Sequence, residues 1–214
     1  MVDGYNAPLR EPTERAEEQE RPKMGDEQST NDLLRVDLQR SLKRGPVDPK
    51  ELSSFQRILL TTDGMVTEML EAYLWERMTV VKLAQEHVAS EVAVPELGLQ
   101  KGENILNRTI LLQGRMSHKN HIYAHSIIAP DRLDDQMRDG LVGSGKAIGL
   151  LILEDRLETF REILSCGREQ AGELSQYFFI EPDDYLIYRT YRVIARGSPI
   201  MLITEKFPES EFQA

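Results

Sequence analysis

The 214-residue chain is 40% hydrophobic and sets 26 basic against 36 acidic side chains, for a formal net charge of -10. That is enough apolar material for one well-buried domain plus appendages, and the acidity argues against nucleic acid or an anionic membrane surface as the main partner. A single cysteine, Cys166, excludes an intramolecular disulfide and a multi-cysteine metal site, and no run reaches the roughly 18 apolar residues of a membrane span, so a reducing cytoplasm is the expected compartment.

Residues 1–30 are rich in Glu, Arg, Pro, Gln and Gly and read as a disordered acidic tail, with neither the apolar core of a secretory signal nor the acid-poor composition of a transit peptide. Residues 31–50 read as a helical extension: Leu33, Leu34, Val36, Leu38 and Leu42 have helical spacing, and Gly45-Pro46 stops them. The main domain is expected over 51–210. It begins with a helix from Leu52 to Leu60, then a second from Val66, giving way to β-branched residues between Met78 and Ala84.

Strands are predicted at Thr79–Ala84, Asn104–Arg115, His121–Ile128, Tyr185–Ala195 and Pro199–Phe207. Gln113–Asn120 and Arg196-Gly197-Ser198-Pro199 read as hairpin loops, which makes the pairing antiparallel. Asp131–Leu141 and Ala147–Glu158 look helical. Strands and helices are grouped, so the expected class is α+β: one antiparallel sheet covered by helices, enclosing a ligand site.

Two of the strands carry one charge each on an apolar face. Alternation puts Arg108 beside Leu106, Ile110 and Leu112, and Glu205 beside Met201, Ile203 and Phe207. An isolated buried charge costs several kcal/mol or more, so both must be paired, hydrogen-bonded or turned to a polar ligand. An enclosed site for a small anion fits, and so does an ion pair between the two.

Other signals are weaker. Gly140-Leu141-Val142-Gly143-Ser144-Gly145-Lys146-Ala147 nearly spells a phosphate-binding loop, but Ala147 lacks the metal-binding hydroxyl and the preceding residues are helical, not a strand. His118, His121 and His125 straddle a turn and a strand at steps that do not converge on a metal. The spacing of Glu154, Asp155, Glu158 and Glu162 with Arg156 and Arg161 fits a solvated helix face.

Leu59-Leu60-Thr61-Thr62-Asp63-Gly64-Met65-Val66-Thr67, Asn107–Leu112, Tyr123-Ala124-His125-Ser126, Ala147-Ile148-Gly149, Arg161-Glu162-Ile163 and Leu202–Pro208 together resemble the chorismate lyase family, in its divergent archaeal and mycobacterial branch. The resemblance runs from about Leu59 to Pro208. It implies removal of pyruvate from chorismate to leave 4-hydroxybenzoate, in a site closed by helical flaps, with no metal and no cofactor. Arg108 would hold the ring carboxylate and Glu205 would act at the hydroxyl end, handling the proton. Ile148 would offer a backbone N–H, next to Gly149, and Val66 or Met65 would cover the ring.

Many relatives place a basic residue after the Ile-Gly step. Here Leu150 stands there, and Lys146 or Arg115 is the expected replacement. The same fold also serves as the effector-binding domain of bacterial transcription regulators, a non-catalytic alternative; the 30 or so ordered-looking residues before Leu59 are too few for a winged helix. The expected partner is a small molecule, and self-association is left open.

Overall fold

The computed structural model describes residues 47–143 and 146–213, all within one unit spanning Arg35–Ala214. The expected tail over residues 1–30 and helix from Thr30 to Leu42 lie outside the described residues. The elements are α1 (Ser54–Thr61), α2 (Val66–Leu74), β1 (Met78–Ala89), β2 (Asn104–Gly114), β3 (Asn120–Ile128), α3 (Asp135–Gly143), α4 (Ile148–Glu154), β4 (Thr159–Gln170), α5 (Ser175–Phe178), β5 (Tyr185–Ala195) and β6 (Ser198–Pro208). Six strands make one antiparallel sheet in the order β1-β2-β3-β6-β5-β4. α3 and α4 carry the chain across from β3 to the far edge, so β5 and β6 return inward and β6 pairs with β3 in the middle.

Cross-strand partners share a face, and the register therefore orders the inner surface into rows. Leu112, Ile122, Phe207 and Ile187 form an apolar row; the next holds Ile110, Ala124, Glu205, Arg189 and Cys166; the third holds Arg108, Ser126, Ile203, Tyr191 and Ile163. Two helical pairs cover this face. Leu59 and Leu60 of α1 and Val66 and Leu70 of α2 pack on the Leu112 end, while Met137 and Leu141 of α3 and Leu151 and Ile152 of α4 pack on the Met201 and Val193 end. Neither pair covers the middle.

α1 is set in place by its first turn. Ser53 and Gln56 form a capping box, and the buried Gln56 donates its amide to the Glu209 carbonyl at 2.8 Å, tying the helix to the 3-10 turn Glu209–Phe212. Phe55 stacks on Tyr73 with centroids 3.9 Å apart, which joins α1 to α2. The β2–β3 loop is fastened by Glu76, whose carboxylate accepts from Ser117 Oγ at 2.7 Å and from the Met116 N–H. A Cβ at Gly114 would come within 2.5 Å of that carboxylate, which is why glycine ends β2.

The sheet has one strand more than the sequence pattern indicates. Helix α4 stops at Glu154, and Thr159–Gln170 is an edge strand, so Arg161 and Glu162 lie on opposite faces of β4 and not on a solvated helix. A bulge between Ile163 and Ser165 breaks the alternation that would have revealed it. β1 is also longer than expected, and its bulge lies between Lys82 and Ala84.

Cys166 is fully buried on the inner face of β4. Burial pushes its thiol from 9.0 up to about 11. At pH 8 a disulfide reagent should leave the folded protein untouched and titrate the thiol only in denaturant. The folded state keeps this proton longer than the unfolded one, so the contribution to stability is complete below about pH 9 and is lost as pH rises towards 11.

Candidate active site

The gap between the two helical pairs is a cleft with about 650 Å³ of empty space, a figure that includes the open solvent at its mouth. Its floor is Ile110, Ala124, Ser126 and Ile203. One lip is the loop from Gly64 to Thr67 at the start of α2; the other is Ala147, Ile148 and Gly149 at the start of α4. The two lips face each other closely: a Cβ added to Gly149 would lie 3.4 Å from Met65 Sδ. All the residues expected from sequence, Arg108, Glu205, Ile148, Gly149, Val66 and Met65, line this one cavity.

Arg108 is 1% exposed. Its Nη2 donates to the Lys146 carbonyl at 2.7 Å, its Nε has no acceptor, and no carboxylate among the described residues stands within ion-pair distance. Burial lowers its pKa with no counter-charge to oppose it. The expected alternative of an Arg108–Glu205 ion pair is therefore wrong. Arg108 sits on β2 and Glu205 on β6, two strands away, and a nearer cation takes the carboxylate.

That cation is Arg189, which the sequence reading passed over. Its Nε donates to Glu205 Oε2 at 2.7 Å, and its Nη1 donates to the Thr62 carbonyl at 2.7 Å. Tyr191 OH donates to the other carboxylate oxygen at 3.0 Å. Burial by itself would depress the Arg189 pKa, but Glu205 reverses this and raises it; burial and the same carboxylate raise the Tyr191 phenol, which stays protonated as a donor. The signal was available: Arg189 and Tyr191 share a strand face with Ile187 and Val193, the same pattern that singled out Arg108.

Arg189 and Arg108 should answer differently to neutral substitution. Arg189→Met leaves Glu205 uncompensated and the Thr62 carbonyl without its donor. A loss of about 3–5 kcal/mol is expected in urea unfolding. A loss below about 1 kcal/mol would show that solvent reaches the carboxylate.

Arg161 of β4 also lines the cavity, donating Nη1 to the Asp63 carbonyl at 2.8 Å. Ser126, opposite Arg108 in the register, is 3% exposed and lines the floor. The two basic residues offered as replacements do not enter the site. Lys146 Nζ is held by Glu154 at 2.7 and 2.8 Å, and Arg115 is exposed on the β2–β3 hairpin. His125 is on the other face of the sheet between Thr109 and Thr204, with burial and then Lys206 lowering its pKa; His121 is bound to Glu211. No group of three or more His, Cys, Asp or Glu among the described residues is arranged to hold a metal ion.

A family model described as "Chorismate pyruvate-lyase Rv2949c-like" matches residues 60–213, the span that contains the whole cavity. The chorismate pyruvate-lyase of Mycobacterium leprae is 30% identical over 178 residues, covering 81% of this chain and 82% of that protein. Its Mycobacterium tuberculosis counterpart is 29% identical over 168 residues, covering 77% and 84%. In structure, the effector domain of PhnF from Mycobacterium smegmatis superimposes with a TM-score of 0.56 at 11% identity over 71% of this chain and 92% of that domain, a likeness of fold alone. No helix among the described residues is long and apolar enough to cross a membrane. With the matched span holding the sheet, both lips and every charged group of the cavity, the chain belongs to the Rv2949c-like chorismate pyruvate-lyase family.

Proposed function

We propose that this protein eliminates pyruvate from chorismate and leaves 4-hydroxybenzoate. The observation that carries the reading is Arg108: a guanidinium that is buried, has no counter-charge among the described residues and lines a cavity whose other walls are mainly apolar. A carboxylate on that ring restores the missing charge and occupies the free donor. Such an anion site needs a substrate with an acid group at one end.

Glu205 supports the rest. With the ring carboxylate on Arg108, the hydroxyl-bearing carbon falls towards the Glu205 end, across Ser126 and Ile203. The elimination breaks the ring C–O bond to the enolpyruvyl group and removes the proton from the neighbouring hydroxyl-bearing carbon. The electron pair of that C–H bond completes the aromatic ring, and the departing enolpyruvate becomes pyruvate by taking a proton on its methylene carbon. Glu205, both oxygens oriented by Arg189 and Tyr191, takes the ring proton. Val66, Met65 and Ile152 exclude water over the ring, while the N–H groups of Ile148 and Gly149, which precede the first intrahelical bonds of α4, are donors at the lip.

The fold likeness to a regulator's effector domain favours a second reading, ligand binding without turnover. One experiment separates them: purified protein is mixed with chorismate and the products are followed by chromatography. Equimolar 4-hydroxybenzoate and pyruvate support the lyase. No turnover, with a melting shift on adding 4-hydroxybenzoate, supports the binding domain.

A further inference from the structure

Chorismate has a second carboxylate, on its enolpyruvyl arm, and Arg108 accounts for only one. Among the described residues, the charges lining the cavity are Arg108, Arg161 and the carboxylate of Glu205, which Arg189 already matches from outside the lining. Two positive charges are left over, Arg108 and Arg161, the complement of a dianion. They stand apart by design of the sheet. β2 and β4 are separated by four strand spacings, roughly 19 Å between backbones, and the two long side chains reach inward from either side of the cavity.

Arg161 is half-buried and, among the described residues, has no carboxylate within ion-pair distance. Asp63 adjoins Thr62, whose carbonyl takes Arg189, so the Arg161 guanidinium meets the lip on the side of the Arg189–Glu205 pair, towards which the reading above turns the hydroxyl-bearing carbon. Its bond to the Asp63 carbonyl reaches into the loop between α1 and α2 that forms the upper lip. A neutral carbonyl is a weaker partner for a guanidinium than a carboxylate, so the position is suited to exchange one for the other.

We infer that Arg161 binds the enolpyruvyl carboxylate of the substrate, resting on the chorismate reading above, and so makes the site selective for a dianion over its monoanionic product. In the empty site the same guanidinium holds the lip through Asp63. After the C–O bond breaks, the second carboxylate leaves with pyruvate, and 4-hydroxybenzoate keeps only its contact to Arg108.

The test compares Arg161→Gln and Arg161→Lys with the unsubstituted protein, using chorismate kinetics and calorimetry with 4-hydroxybenzoate. Arg161→Gln is expected to raise KM for chorismate by about ten- to a hundred-fold with a smaller change in kcat, while the Kd for 4-hydroxybenzoate stays within about two-fold. Arg161→Lys should recover part of the loss, because it keeps the charge. An unchanged KM overturns the inference, as does a parallel loss of affinity for chorismate and product, which would make Arg161 only a prop for the lip. Absence of turnover in the unsubstituted protein is a different result: it overturns the lyase reading itself.

Discussion

Glu205→Gln is expected to lower chorismate turnover by about a hundred-fold or more. The substitution keeps the size and planarity of the side chain, so the cavity retains its shape and KM should move little. What disappears is the acceptor for the ring proton. Gln presents an amide N–H₂ where Arg189 Nε or the Tyr191 hydroxyl now donates, so one of these donors must lose its partner or the amide must turn. Arg189 also loses its counter-charge, and a drop in melting temperature is part of the expected result. Turnover is therefore measured at a temperature where circular dichroism shows the variant folded. Turnover near the unsubstituted value in that folded variant would remove Glu205 from the proton transfer.

Arg108→Met is the second large effect, and it has an unusual signature. Affinity for 4-hydroxybenzoate should fall by about 2–4 kcal/mol, since the ring carboxylate would enter an apolar cavity with no cation to meet it. Stability should not fall with it. The guanidinium is buried with a bare Nε and no carboxylate partner among the described residues, so it is a cost to the free protein that an apolar chain of similar length removes. Calorimetry and urea unfolding on the same variant read the two quantities. Lost affinity with unchanged or higher stability marks Arg108 as a residue kept for its ligand. A loss of several kcal/mol in stability would instead mark it as structural, with an acidic partner it meets in solution.

The contrast with Arg189 shows how little residue type says without its surroundings. Both arginines interrupt apolar strand faces, and both are 1% exposed. One lies directly opposite Glu205 in the β5–β6 register and is neutralised; the other faces Ser126 and is not. Strand alternation reveals that each points inward, but it cannot say which of two inward charges will be neighbours. That is decided by the order of strands in the sheet.

The strands themselves were legible where alternation is clean. β2, β3, β5 and β6 appear within a residue or two of their expected ends, because each alternates a more buried with a less buried face over much of its length. β4 was not legible, since its bulge shifts the alternation by one residue and an edge strand gains little from apolar side chains on both faces. Arg161 went with it, hidden in what resembled the charged face of a helix.

By itself, the sequence determined the fold class, the inward direction of Arg108 and Glu205, and the family to which the cavity's segments belong, because strand periodicity and local motif spacing are properties of neighbouring residues. Only the tertiary structure decided which charges meet. Glu205 pairs with Arg189, Arg108 is left without a counter-charge among the described residues and Arg161 reaches the lip because the crossover through α3 and α4 places β4 at the far edge and brings β6 back to the centre. Electrostatic partnership depends on distance in space, and that distance is set by the topology of the whole sheet.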